Sequence, residues 1–140
     1  MEKLLIGGQA LVKLGSSRTT KDTDYLVNDL GSKSAFLHDT ANNVDYCNAN
    51  GLKFFKEVWE MEKKGGGIKE MASPQALLEL KAFSLTQNVR NGHFQKADDA
   101  EYDIKFLVRN FNLKALKIAN KHIDAGSLNH IKSLIESVKK

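Results

Sequence analysis

The sequence predicts an α+β fold, with a small mixed β-sheet in its first half and helices in its second half. Before residue 48, short apolar runs alternate with polar or glycine-containing turns, which is the pattern of strands. After residue 72, apolar side chains recur at the three- and four-residue spacing of amphipathic helices. A chain of 140 residues suits one domain, or one domain and a small appendage. The strands are therefore separated from most of the helices along the chain.

The first elements are a strand, a glycine turn and a short helix. The apolar residues 4–6 predict a buried strand that ends at Gly7 and Gly8. Apolar residues at helical spacing predict a helix over residues 9–14, and a second strand is predicted over residues 22–27. A polar loop joins that helix to the second strand.

A hairpin and a longer helix complete the first half. Residues 34–38 and 44–47 predict two strands, and residues 39–43 between them have the composition of a turn. A helix is predicted over residues 52–63, followed by a short strand over residues 68–71.

The second half predicts four helices. Ser73 as N-cap and Pro74 at the first helical position mark the start of the first one, and residues 88–95 predict the loop after it. The remaining helices are predicted over residues 98–110, over residues 113–122, and in a last segment capped by Ser127.

The cysteine and histidine content excludes several kinds of site. The single cysteine, Cys47, can form neither an intramolecular disulfide nor a four-cysteine zinc site. The histidines lack the spacing of a zinc motif; they are His38, His93, His122 and His130. The apolar run at the start of the chain is too short for a signal peptide or a membrane span. We therefore expect a cytoplasmic protein with no membrane partner.

The net charge of +4 is concentrated at one end of the chain. From Asn112 onward there are six basic and two acidic residues, so residues 1–111 carry equal numbers of each. A basic module of this kind favours a polyanionic partner such as RNA. The alternative interpretation is a helix face rich in lysine that only contacts solvent.

The stretch between Ile6 and Asp24 predicts the chemistry of the protein. Glycines at the end of a strand let a phosphate approach the backbone, where the N–H groups of the following helix can bind it. Asp22 and Asp24 lie two residues apart on a predicted strand, so both carboxylates project from one face and can converge on Mg²⁺ or Mn²⁺. A phosphate cradle beside two carboxylates is typical of metal-dependent phosphoryl or nucleotidyl transfer. The alternative is a strand, a turn and a helix with two surface aspartates.

The same stretch resembles the signature of the polymerase-β-like nucleotidyltransferase superfamily. Ile6-Gly7-Gly8 is followed, after thirteen residues, by Asp22-Thr23-Asp24. The pattern Gly-Gly-x-Ala, followed by Gly-x-x-Arg-x-Thr-x-Asp-x-Asp, is similar to small bacterial and phage nucleotidyltransferases. These include abortive-infection-type toxins of toxin–antitoxin pairs. Two positions depart from the family pattern, namely Thr23 in place of a hydrophobic residue and Gln9 in place of a hydroxyl.

The resemblance implies a role for each residue of the motif. The two acids would bind the metal ions, Mg²⁺ or Mn²⁺, and take part in catalysis. A nucleoside triphosphate would be the substrate, and the residues that would bind it are Gly7, Gly8, Gln9 and Arg18.

The superfamily commonly adds a third carboxylate from a neighbouring strand. We expect Asp45 to be this catalytic and metal-binding residue, because it is an acid within an apolar strand. Asp39 is the alternative, but its position predicts a turn residue.

The second half resembles the same toxins over shorter motifs. Residues 72–81 match a helix with a Leu-x-x-x-Lys pattern, and the resemblance implies that Lys81 contacts a nucleotide phosphate. Residues 96–107 match an acidic helix, in which Asp99 or Asp103 would be the acid near the acceptor. The alternative is that these acids interact favourably with the dipole at the start of a helix.

We expect residues 1–71 to form the nucleotidyltransferase core and residues 72–140 a helical part packed on it. The predicted reaction transfers a nucleoside monophosphate to an acceptor hydroxyl, with RNA, in particular the end of a tRNA, as the favoured acceptor. The resemblance to the toxins also implies an antitoxin protein as a partner. Two alternatives stay open: nucleotidylation of a protein or small molecule, and a non-catalytic member of the fold that binds nucleotide or RNA.

Overall fold

The computed structural model describes residues 2–138 and confirms the α+β fold class. Within these residues, a mixed four-stranded sheet is accompanied by five α-helices. The chain divides into two compact units, Met1–Ala76 and Leu77–Lys140. None of the helices in the described part is long and apolar enough to cross a membrane.

The first unit contains the whole sheet. Its strands are β1 (Lys3–Ile6), β2 (Thr23–Val27), β3 (Phe36–Asp39) and β4 (Val44–Asn48). They lie in the order β1-β2-β4-β3. β1 is antiparallel to β2, β2 is parallel to β4, and β4 is antiparallel to β3. The hairpin of β3 and β4 is therefore attached to β2 through its second strand.

Two helices of the first unit pack on this sheet. α1 (Gly7–Lys13) follows β1 directly, and α2 (Lys53–Lys64) contacts β2 and β4. The apolar face of α2 is buried, as its spacing predicts; it consists of Phe54, Phe55, Val58 and Trp59. The ring of Phe36 on β3 makes an edge contact with Phe55, with 5.4 Å between ring centroids.

Residues 68–71 do not form the strand that the sequence predicts. They make a single parallel bridge, between Met71 and Leu5 of β1. The Leu5 N–H donates to the carbonyl of Glu70 at 2.9 Å, and Ala72 N–H donates to the carbonyl of Leu5 at 3.1 Å. Extended backbone therefore reaches the edge of β1 but pairs with it at one residue only.

Ser73 starts the next helix, as predicted. α3 (Pro74–Arg90) begins in the first unit and continues into the second. The Ser73 hydroxyl oxygen accepts a hydrogen bond from Ala76 N–H at 3.2 Å and donates one to Glu62 of α2 at 2.8 Å. The N-cap thus also joins the start of α3 to α2.

The helices of the second unit are longer than predicted. α3 runs to Arg90, and α4 (Phe94–Phe111) begins at Phe94, which leaves three residues of the predicted loop over 88–95. The last helix, α5 (Ala125–Val138), begins two residues before Ser127.

Asp124, and not Ser127, is the N-cap of α5. Its carboxylate accepts hydrogen bonds from the Ser127 N–H at 2.9 Å and from the Ser127 hydroxyl at 2.7 Å. These bonds lower the pKa of Asp124, because they stabilise its charged form. The Ser127 prediction was wrong because Asp124, three residues earlier, provides the stronger acceptor.

The helix predicted over residues 113–122 is absent. α4 ends at Phe111, its C-cap Asn112 has a φ of 53°, and only a short 3-10 turn, Ala119–Lys121, follows before α5. The backbone of this segment is held by Glu79 of α3. One oxygen of Glu79 accepts from the N–H of Lys117 at 2.8 Å, and the other accepts from Ile118 at 3.0 Å and Ala119 at 2.8 Å. A carboxylate of another helix therefore takes the N–H groups that a helix here would have used.

We expect Glu79→Ala to lower the free energy of unfolding by about 3 kcal/mol, because the side chain is fully buried and its loss leaves three backbone donors without their acceptor. Glu79→Gln should lower the free energy of unfolding by less, since its amide oxygen can keep two of the three hydrogen bonds. Urea denaturation would measure both values. Glu70→Gln is the matched control, because Glu70 is exposed. Equal stability of Glu79→Ala and this control would contradict the assignment.

Candidate functional site

One row of residues crosses all four strands of the sheet. Ile6 pairs with Asp24, Asp24 with Asp45, and Asp45 with His38 in the strand registers. Residues that pair in neighbouring strands project from the same face of a sheet. The register therefore brings the end of β1, two carboxylates and an imidazole to one face.

Asp24 packs against the glycine turn. Gly7 has a φ of +69°, and a Cβ atom added to it would overlap the Oδ2 oxygen of Asp24. Both the backbone conformation and the space at this position therefore require glycine. The turn and the first carboxylate of the row are in direct contact.

The loop before β2 folds back over the second glycine. A Cβ atom added to Gly8 would lie 2.8 Å from Thr20 and 2.9 Å from the Nη2 atom of Arg18. The Gln9 side chain donates a hydrogen bond to the carbonyl of Thr20 at 3.4 Å, which ties this loop to α1. The structure thus brings Gly7, Gly8, Gln9 and Arg18 together, as the motif predicts.

The second carboxylate of the row is Asp45. It is half-buried and lies beside Asp24, because β2 and β4 are parallel and in register. Asp39, its alternative, instead pairs with Val44 at the end of the hairpin and accepts hydrogen bonds from Asn42. Those bonds lower the pKa of Asp39. Asp39 is therefore the last residue of β3, next to the turn, whereas Asp45 lies opposite Asp24 in the strand register. The role of Asp45 as the third carboxylate stays a prediction.

Asp22 precedes the strand rather than lying within it. β2 begins at Thr23, one residue later than predicted, and Asp22 is exposed at its entrance. Asp24 is half-buried. The two acids of the Asp-x-Asp motif therefore have different surroundings.

Cys47 lies two residues after Asp45 on β4, where burial and the charges of the row change the pKa of its thiol. Burial is the main cause that raises the pKa of its thiol to about 12, and the charges of Asp24 and Asp45 add to it. The thiol is therefore protonated at neutral pH and is neither a nucleophile nor a thiolate ligand. The same effect shows that the two carboxylates concentrate negative charge at this end of the sheet.

The donors present fit a hard divalent cation. No group of three or more His, Cys, Asp or Glu side chains within residues 2–138 is arranged to hold a metal ion by itself. Mg²⁺, however, is commonly bound by one or two carboxylates together with water and substrate phosphates. Asp24 and Asp45 supply such a pair, and their oxygens disfavour softer metals.

Lys81 and Asp103 come together in the second unit. The Lys81 Nζ atom on α3 lies 3.0 Å from Asp103 Oδ2 on α4, and the Asp103 side chain is completely buried. Asp99 lies one turn earlier on α4, where it accepts a hydrogen bond from Gln95 at 3.3 Å. The ion pair neutralises a buried carboxylate, and the nucleotide and acceptor roles implied for these residues stay predictions.

His38 is the component of the row that the sequence analysis missed. Its Nδ1 atom lies 2.6 Å from the Oδ1 atom of Asp45. The histidines of this chain lack the spacing of a zinc motif, and no short motif contains His38. The signal that could have found it is the hairpin register, which sets His38 opposite Asp45.

Comparison of the chain with protein-family models, with curated proteins and with solved structures finds no match. Membership of the nucleotidyltransferase superfamily therefore stays a prediction from the motif.

We expect Gly7→Ala to destabilise the wild-type protein by about 1 kcal/mol more than it destabilises an Asp24→Ala background. The positive φ of Gly7 has the same backbone cost in both backgrounds, whereas only the wild type has the Asp24 carboxylate where the new Cβ atom would lie. Thermal unfolding of the four proteins would measure the difference, and equal losses in the two backgrounds would show that Asp24 does not pack against the turn.

We expect Lys81→Met to lower the free energy of unfolding by about 3 kcal/mol, because it leaves the buried Asp103 carboxylate without this cation. The double variant Lys81→Met/Asp103→Leu should recover most of the loss. Lys96→Met is the control, since Lys96 is exposed. Chemical denaturation that finds Lys81→Met as stable as Lys96→Met would rule out a structural role for the pair.

Proposed function

We propose that this protein is a metal-dependent nucleotidyltransferase that acts in the cytoplasm. It would move a nucleoside monophosphate from a nucleoside triphosphate to an acceptor hydroxyl. The observation that carries this proposal is the parallel register of β2 and β4, which sets Asp24 beside Asp45. Because Gly7 packs against Asp24, the proposed phosphate-binding turn adjoins the proposed metal ligands.

The nucleotide phosphates would lie at the turn formed by Gly7 and Gly8. The positive φ of Gly7 sets the path of the backbone through this turn, whose N–H groups would donate hydrogen bonds to phosphate oxygens. Arg18 is beside Gly8 and would add a positive charge there. Gln9 would act mainly through its bond to Thr20, by holding the loop that carries Arg18.

The cations would be held by Asp24 and Asp45, with Asp22 at the exposed entrance of the site. When bound, Mg²⁺ or Mn²⁺ would neutralise the charge of the phosphates and polarise their oxygens. The acceptor oxygen would form a bond to the α-phosphorus while the bond to pyrophosphate breaks, and pyrophosphate would leave with that electron pair. Asp45 would take up the proton of the acceptor hydroxyl.

RNA is the acceptor that the charge distribution favours. The lysines of the described part beyond residue 111 are all exposed; they are Lys114, Lys117, Lys121 and Lys132. Exposed lysines bind a phosphate backbone without reading its sequence. The end of a tRNA, a toxin activity and an antitoxin partner belong to this proposal through the family resemblance alone.

The decisive test is transfer from α-labelled nucleoside triphosphates to total cellular RNA or protein, in the presence of Mg²⁺. We expect label in RNA, and a decrease of at least about 100-fold in Asp24→Asn and Asp22→Asn, because each loses a charge needed at the reacting phosphate. Asp98→Asn, an exposed acid on α4, is the matched control and should retain full activity. Unfolding temperatures of all three variants should match that of the wild type.

The outcomes separate the interpretations. Wild-type transfer in Asp24→Asn would overturn the site. Label found in protein would identify a protein acceptor in place of RNA. The amount of label should then not fall as the salt concentration rises, because steep weakening by salt is a property of RNA binding. Metal-dependent nucleotide binding without transfer to any acceptor would favour a non-catalytic binding protein.

A further inference from the structure

His38 lies at the outer end of the row that carries the proposed metal ligands. It is on β3, an edge strand, and it pairs in register with Asp45 of β4. Its Nδ1 atom is 2.6 Å from Asp45 Oδ1, a close contact, and hydrogen bonds to charged acceptors are shorter than those between neutral groups. For this bond the imidazole must carry a proton on Nδ1 and donate it to the carboxylate.

The contact contributes little to the stability of the fold. The side chains of His38 and Asp45 are 50% and 49% exposed. Exposed ion pairs and charge-assisted bonds of this kind typically contribute between 0 and about 1 kcal/mol. The strands themselves are joined by their backbone pairing, which does not involve the imidazole.

The bond instead restricts the carboxylate that adjoins Asp24. A half-exposed aspartate beside a like charge can rotate its carboxylate away into solvent. A donor fixed on the neighbouring strand holds one oxygen of Asp45 and leaves Oδ2 to serve as a ligand. Partners of this kind orient metal ligands and commonly change metal affinity by about 10-fold to 100-fold.

We infer that His38 is a positioning residue, which fixes the Asp45 carboxylate for the divalent cation that Asp45 shares with Asp24. The inference rests on the proposed function, because it assigns no metal site of its own. It extends that proposal to a residue outside the family motif. His38 would act through Asp45 and would contact neither the substrate nor the cation.

The test is Mn²⁺ binding to the complete protein, followed by the electron paramagnetic resonance signal of free Mn²⁺ at constant pH. We expect His38→Ala to weaken binding about 10-fold. His38→Asn should bind within about threefold of the wild type, since its amide can donate near the position of Nδ1. His93→Ala, at an exposed histidine of the second unit, should bind as the wild type does.

Two further measurements separate positioning from other roles. In an Asp45→Ala background, His38→Ala should cause no additional loss of Mn²⁺ affinity, because His38 acts only through Asp45. In the transfer assay, His38→Ala should raise the Mn²⁺ concentration needed for half-maximal rate while KM for the nucleotide at saturating Mn²⁺ stays unchanged. The unfolding temperatures of His38→Ala and His93→Ala should agree.

The results distinguish failure of this inference from failure of the proposed function. If the wild type binds Mn²⁺, Asp24→Asn does not, and His38→Ala binds as the wild type does, the inference is wrong and the metal site stands. Loss of binding in both His38→Ala and His38→Asn would also overturn it, in favour of His38 as a direct ligand through Nε2. If the wild type binds no Mn²⁺ with or without nucleotide, the metal site fails and the inference fails with it.

Discussion

The parallel pairing of β2 with β4 is the constraint on which the candidate site depends. Asp24 and Asp45 are far apart in the sequence, and a parallel register brings them to the same end of the sheet on the same face. Like charges in neighbouring strand positions are destabilising. Here they add to the effect of burial, which is the main cause of the raised pKa of Cys47. A cation between the carboxylates would convert this repulsion into attraction.

The packing of the first unit explains the glycine turn. Gly7 must be glycine because Asp24 lies against it and because its φ angle is positive. The glycines and the acids of the motif are therefore not independent evidence for a nucleotide site, because Gly7 leaves the space that the Asp24 carboxylate occupies in the folded protein. Gly8 likewise leaves space for Thr20 and Arg18 in the loop before β2, so Gly8 and Arg18 are not independent evidence either. Part of the motif thus describes how the turn and the loop fold together.

The sequence predicted the fold class and the four strands of the sheet, but also a strand over residues 68–71 that does not form. The family resemblance implied Asp45 as a carboxylate from a neighbouring strand, whereas His38 was not predicted. The predicted turn over residues 39–43 would set residue 38 opposite residue 44. In the structure β3 extends to Asp39, the turn is one residue shorter, and Asn43 adopts a φ of 52° to close it. A shift of one residue changes every cross-strand pair, and the alternation of apolar and polar residues is too weak in β3 to fix the register. The strand β3 is largely exposed, so burial could not reveal its pairing.

The prediction failed over residues 113–122 because a distant residue decides the structure there. Apolar spacing favours a helix locally, but the buried carboxylate of Glu79 accepts three backbone N–H groups of the segment. The buried acids of the second unit are thus matched by donors: Glu79 by backbone N–H groups and Asp103 by Lys81. Asp24 and Asp45 on the sheet keep access to solvent. This difference separates acids that maintain the architecture from acids that remain accessible to a ligand, and the sequence pattern alone does not contain it.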